Sequence, residues 1–223
     1  MIKPILCLIA VTLLLTGCSR SFPEIPWLPK EQQRQRELQG NIDFASRLEL
    51  ARLYFQHNRI DEASEILDPL VSEQPNNQEA KAWHAANRCK LAERRGPWLL
   101  GIDKMVLLWS CMTELERAGH HAGDNLSVAL AEIYTDTEVE VFGAKRRAYQ
   151  AKDRLQQRIE SKGEAYTTPE KAAFYQAAAL LAFRHGDSAG ARDYLKRVIS
   201  LGDQESTERA RQMLLTLDAS GAG

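Results

Sequence analysis

Long apolar runs are nearly missing from this 223-residue sequence. The one present, residues 5–15, is 11 residues long, whereas a bilayer-spanning helix needs about 20. Aromatics are scarce at 7%, and no stretch alternates β-branched with polar residues for long enough to build a sheet. Charge of one sign is not in excess: 29 Lys and Arg stand against 30 Asp and Glu, which argues against a polyanion-binding chain as a whole. No glycine-rich phosphate loop follows a strand, and no Gly-x-Ser-x-Gly elbow occurs. His57, His84, His120, His121 and His185 include no i, i+4 pair with an acidic partner of the kind that binds zinc; His120-His121 is read as part of a turn over 119–123. The acidic run Asp136, Glu138, Glu140 lacks the glycine and spacing of a calcium loop. No metal, no cofactor and no enzymatic activity are expected.

What remains is 44% hydrophobic and 26% charged, rich in Ala and Leu, a mixture that favours helices and suffices for one core. In residues 44–77, Leu50, Leu53, Tyr54 and His57 recur at i, i+3, i+4, i+7 on one helix face. Asn58 tolerates the left-handed backbone that ends a helix. Asp61 is placed to open the next helix, whose stripe is Ala63, Ile66, Leu67, Leu70 and Val71. Pro75-Asn76-Asn77 stops it. Neither helix can bury its stripe alone, so the hairpin requires neighbours.

The string Leu50-Ala51, Tyr54, Asn58 to Ala63, Leu67, Leu70 and Pro75 resembles a tetratricopeptide repeat, a 34-residue unit of two antiparallel helices. The likeness returns at 172–217 through Tyr175, Ala179, Gly186-Asp187, Ala191, Leu195 and Val198. Across 78–166 it is degenerate: Trp98 to Ile102 is read as a loop before a cap at Asp103, and 136–143 as a short extended connection. The expected fold is therefore all-α, a short right-handed solenoid of antiparallel helix pairs over 41–217, closed by an amphipathic capping helix at 204–217. Residues 218–223 form a tail.

At the start, Lys3 and the apolar run lead into Leu15-Thr16-Gly17-Cys18, which resembles the lipobox of bacterial lipoproteins. The resemblance implies a signal peptide at 1–17 and lipidation of Cys18, with several acyl chains giving a lasting membrane anchor. Ser19 in place of aspartate points, in a Gram-negative cell, to the periplasmic face of the outer membrane. Residues 18–40 read as a tether: Pro23, Pro26 and Pro29 favour extended chain over 19–30, and the charged, Gln-rich 31–40 reads as a solvated helical lead-in. Phe22 and Trp27 within it belong either at the membrane interface or on the first helix. Once Cys7 leaves with the signal, Cys89 and Cys111 are left, either a disulfide in an oxidising compartment or two buried thiols.

Two sets of residues are candidates for partner binding. The repeat resemblance implies a concave face lined by the first helix of each unit, which nominates Arg52, Phe55 and Gln56 in the first and Gln176, Phe183 and Arg184 in the last. The family's lysine and asparagine clamp for a peptide carboxylate is absent. Separately, residues 144–162 carry a basic stripe that includes Arg146, Arg147 and Arg154, able to steer an acidic partner. The reading that follows is a lipid-anchored periplasmic scaffold assisting an envelope complex, for secretion, a pilus or polymer export. It has protein partners, membrane contact through lipid and no nucleic acid. The other reading is a small-ligand accessory protein for a transporter.

Overall fold

The computed structural model describes residues 20–96, 101–139 and 143–220. The expected signal segment at 1–17, Cys18, most of the loop expected after Pro97, and the centre of the expected 136–143 connection lie outside the described residues. Those described form ten helices and no strand: α1 Pro29–Gln39, α2 Phe44–Gln56, α3 Ile60–Glu73, α4 Gln78–Arg94, α5 Ile102–Ala122, α6 Leu126–Glu138, α7 Ala144–Ser161, α8 Thr168–Arg184, α9 Ser188–Leu201 and α10 Gln204–Ser220. None of them is long and apolar enough to cross a membrane.

Consecutive helices pair as antiparallel hairpins, α2 with α3, α4 with α5, α6 with α7 and α8 with α9. The first helices of the last three pairs also stack, α4 on α6 and α6 on α8. This is a solenoid of the tetratricopeptide-like kind. Small side chains permit the close crossings: Ala51, Ala63, Ala80, Ala85, Ala86, Ala177 and Ala179 are all sealed from solvent. Trp83 fills the centre of the main core, edge-on to Phe55 at 5.3 Å, and its indole N–H donates to Ser127 Oγ at 2.8 Å. A second core under α8, α9 and α10 gathers Ala179, Leu195, Val198, Ala210 and Leu217.

Local chemistry sets the boundaries. Asn58 takes φ 58°, so the carboxamide residue makes the left-handed step between α2 and α3. Gly186 does the same between α8 and α9 with φ 82°. Asp43, Asn77, Asn125 and Asp187 each cap a helix by accepting from the backbone N–H three residues on. Asp61 opens α3 from its first turn as expected, whereas Asp103, expected as a cap, lies inside the first turn of α5; a carboxylate suits the positive helix end at both. Thr167 caps α8 in a reciprocal box with Glu170, with Pro169 in the first turn.

Two larger corrections concern helix length. Helix α5 runs through Gly119 to Ala122 instead of turning there. A Cβ on Gly119 would stand 1.9 Å from Glu132 Oε1, so this glycine serves close approach to α6. His120 and His121 therefore ride the last turn of a helix. Helix α6 continues to Glu138, with Thr135 and Thr137 hydroxyls donating to the carbonyls of Ala131 and Ile133. Glu138 and Val139, expected in an extended connection, are the last residue and the cap of this helix, and both are buried. The last helix also outruns its expected end and reaches Ser220.

The helical lead-in expected over 31–40 is present as α1, but the placement of residues 20–28 is a further correction. The prolines do hold 20–28 extended, but this arm lies on the domain and is not a spacer away from it. Arg20 N donates to Glu93 O at 3.0 Å, and Ile25 N to His57 O at 3.0 Å. Trp27 stacks on the His57 ring at 3.7 Å, so of its two expected places it takes the one on the first helix.

Candidate functional site

A half-open cavity of about 400 Å³ occupies the concave side of the stack. Its walls come from distant parts of the chain: Gln56 and His57 at the end of α2, Tyr134 on α6, Gln176, Leu180 and Phe183 on α8, and Met213 and Leu217 on α10. The arm supplies the remaining edge through Ile25, Pro26 and Glu31. Each residue on α8 faces inward because it follows the helical period from one nominated position to the next. Gln176, Leu180 and Phe183 are four and three residues apart.

The polar end of this groove is a knot of charges. Arg209 on α10 donates from Nε to Glu31 Oε1 at 2.8 Å and from Nη2 to the other carboxylate oxygen. Its Nη2 also donates to Pro26 O at 3.2 Å. The same Glu31 accepts from Leu28 N at 2.8 Å. His57 Nδ1 sits 2.8 Å from Ile25 O, an acceptor, so that nitrogen carries the proton. Burial holds the imidazole below its ordinary titration range, and the neutral ring then turns Nε2 toward Glu31 at 3.4 Å. The carboxylate therefore draws its strong bonds from Arg209 and the backbone. Burial pushes the Tyr134 hydroxyl up to about 12, leaving it protonated at any physiological pH. Lys30 with Gln204 and Arg34 with Glu205 repeat the bridge between arm and last helix. The two ends of the solenoid are thus joined across the groove.

Of the residues nominated for the concave face, the structure brings Gln56, Gln176 and Phe183 together on this groove. Gln176 spends its amide N–H on Ser206 O at 3.2 Å. Phe55 is a correction: it is 1% exposed, one helical step round from Gln56 and pressed against Trp83. Arg52 is held by Glu49 and Glu79 at 3.0 and 3.4 Å and lies over the Trp83 ring, outside the groove wall. Arg184 is exposed beyond the groove's edge. Glu31, Tyr134 and Arg209 were missed. Nothing local in the sequence marks them, since their proximity arises only when the arm and α10 return to the same place.

The basic stripe on α7 is also corrected. Arg147 grips Asp136 through Nε and Nη2 at 3.3 and 2.9 Å. Arg154 meets Glu132 at 3.4 Å and Arg158 meets Asp124 at 2.6 Å. Carboxylates on the partner helix α6 and in the turn before it neutralise these cations, leaving Lys145 and Arg146 as the exposed leading end of α7. Arg147 and Arg154 line a second cavity of about 440 Å³ between α5, α6 and α7. Among the described residues no three His, Cys, Asp or Glu side chains are grouped to hold a metal ion.

Burial in that second site pushes the Asp136 carboxyl up to about 6, against the pull of Arg147; Glu132 is raised for the same reason. The sign follows from linkage. The folded state holds the Asp136 proton more tightly than the unfolded chain, so this group's stabilising contribution is complete below about 3.8 and lost as pH rises through about 6. Its ceiling is about 3 kcal/mol. Asp136→Asn should flatten the pH dependence of stability between those limits, and carboxyl NMR should give a midpoint near 6. A midpoint near the ordinary aspartate value would overturn this.

Residues 39–86 match the family model of the tetratricopeptide repeat, a span covering α2, α3 and the first half of α4. The chain carries tetratricopeptide-like repeats. Repeats of this kind suggest an interaction scaffold with protein partners and are generally non-catalytic. No curated protein and no solved structure matches the chain.

Proposed function

We propose that the protein is a lipid-anchored scaffold on the periplasmic face of a bacterial outer membrane, where its concave groove holds a segment of an envelope-assembly partner. The observation that carries the binding reading is the convergence of Gln56, Gln176 and Phe183 on one groove from units more than a hundred residues apart. The walls are mainly apolar, with polar groups concentrated at the Glu31–Arg209 end, the combination that grips an extended peptide by side-chain pockets and fixes its direction. The address rests on the lipobox-like Leu15-Thr16-Gly17-Cys18. The Cys89–Cys111 disulfide suits an oxidising compartment. Assistance to a secretion channel, a pilus or a polymer exporter is the role that joins such a groove to such an address.

A photo-crosslinking amino acid placed at Gln176 in living cells tests this. It should give a discrete protein adduct that the same group at exposed Glu160 does not, and Cys18→Ser should abolish the adduct by releasing the protein from the membrane. A groove of this volume is also the size of a small-molecule pocket. No protein adduct at Gln176, with a non-protein mass bound to the purified chain in native mass spectrometry, would replace the scaffold by the transporter-accessory reading.

A further inference from the structure

Helix α5 shows a face that changes character along its length. Ile102, Met105, Val106 and Trp109 fall at i, i+3, i+4 and i+7 and are exposed, at 62, 45, 62 and 64%. Scattered exposed apolar residues need no explanation, but four in one stripe on a water-soluble face do. Further along the same face the exposed residues are Glu116, Arg117 and His120. The apolar part is about 10 Å long and confined to one end of the helix.

That end is also where the chain enters the domain. Arg20 N donates to Glu93 O at 3.0 Å, and Lys104 Nζ, in the first turn of α5, donates to the same carbonyl at 3.2 Å. The backbone at residue 20 is therefore pinned at the end of α5 that carries the stripe, on the side of the helix turned toward α4. Cys18 precedes it by two residues, a reach of at most about 7 Å. Acyl chains on Cys18 would leave no room for a spacer between bilayer and domain. We infer that the Ile102, Met105, Val106 and Trp109 stripe is a membrane-docking face that inserts into the lipid interface beside the acylated cysteine.

The chemistry fits that occupant. Trp is favoured at the boundary between headgroups and acyl chains because its ring is apolar and its N–H polar. A helix lying there sinks its apolar face by about 5–10 Å, a depth that suits one row of side chains. Arg95, exposed at the same end, adds a cation where anionic headgroups gather. With two attachment points the domain would hold a fixed orientation, presenting its groove at a set angle to the membrane. The inference rests on the lipid-anchor reading, and its test separates the two.

The experiment uses the full lipidated chain reconstituted into phosphatidylethanolamine–phosphatidylglycerol vesicles. With Cys18 acylated and Cys89 joined to Cys111, Val106→Cys supplies a single free thiol for a nitroxide; Asp193→Cys, exposed on α9, is the control. Flotation with the vesicles, lost in Cys18→Ser, tests the anchor. On floating protein, the label at position 106 should relax several-fold faster with oxygen than the control and be shielded from a water-soluble nickel chelate. Equal exposure of both labels to the chelate would overturn the docking face while leaving the anchor standing. Shielding of position 106 from both relaxants would place protein on the stripe and overturn it equally. Failure of the wild-type chain to float would remove anchor and docking face together.

Discussion

Glu138→Ala should destabilise the fold by about 3–5 kcal/mol, the cost of leaving a buried partner charge alone. Lys90 is 2% exposed; its ammonium donates to Phe55 O at 3.1 Å and Asn58 Oδ1 at 2.7 Å and pairs with the Glu138 carboxylate, Oε2 at 3.0 Å. The charge also lies 3.9 Å from the Phe55 ring centroid. Burial already lowers the Lys90 pKa, and Glu138 is the chief group opposing that. Removing the carboxylate should depress it further, so the folded variant binds the Lys90 proton less than the unfolded chain does. Its stability should therefore partly recover as pH rises toward the ordinary lysine value of 10.5. The double variant Lys90→Met, Glu138→Leu should cost less than Glu138→Ala alone, because no unpaired charge remains. Denaturant midpoints at constant slope measure all three. A Glu138→Ala loss under about 1 kcal/mol would mean that water reaches the site.

This ion pair also explains why the arm is ordered against the domain. The Arg20 guanidinium donates to the Glu138 carbonyl, and Phe22 covers Lys90 with its ring centroid 5.6 Å away. The ends of α2, α4 and α6 and the incoming chain thus share one buried charge. Proline spacing made the extended backbone of the arm legible, because it constrains φ locally. It said nothing about where the arm lies, which depends on Lys90, Glu93, His57 and Arg209, all distant in sequence. The helix pairs were legible for the opposite reason. Leu50, Tyr54, Ala63 and Leu67 must repeat at helical spacing to bury anything at all. Three groove residues, Gln56, Gln176 and Phe183, were within reach of the repeat resemblance, which places the first helix of each unit on the concave face. Phe55 failed by one position, about a hundred degrees of helix turn, enough to send it into the core. Gly119 misled because glycine marks both turns and close contacts, and only the place of Glu132 on α6 decides between them.

Severing the link between α4 and α5 should be the other large loss. Cys89 and Cys111 are both sealed from solvent, with Cα atoms 5.5 Å apart and a sequence separation of 22. Joining them closes the chain around the connection between the two most extensively packed helices of the solenoid. In the chain-entropy account, a loop of that size contributes about 3 kcal/mol by restricting the unfolded state. Two outcomes are expected. Denatured, unreduced protein should resist alkylation at both cysteines, and reduction should add two labels. Cys89→Ala with Cys111→Ala should lower stability by about 3 kcal/mol, and reducing the wild type should lower it by a similar amount. The comparison discriminates, since reduction keeps both sulfurs in place while the double variant removes them. Equal losses assign the effect to the covalent link. A loss in the variant alone would assign it to the packing of Ala92, Leu108 and Met112 around the sulfurs, as expected for two small apolar side chains and no bridge.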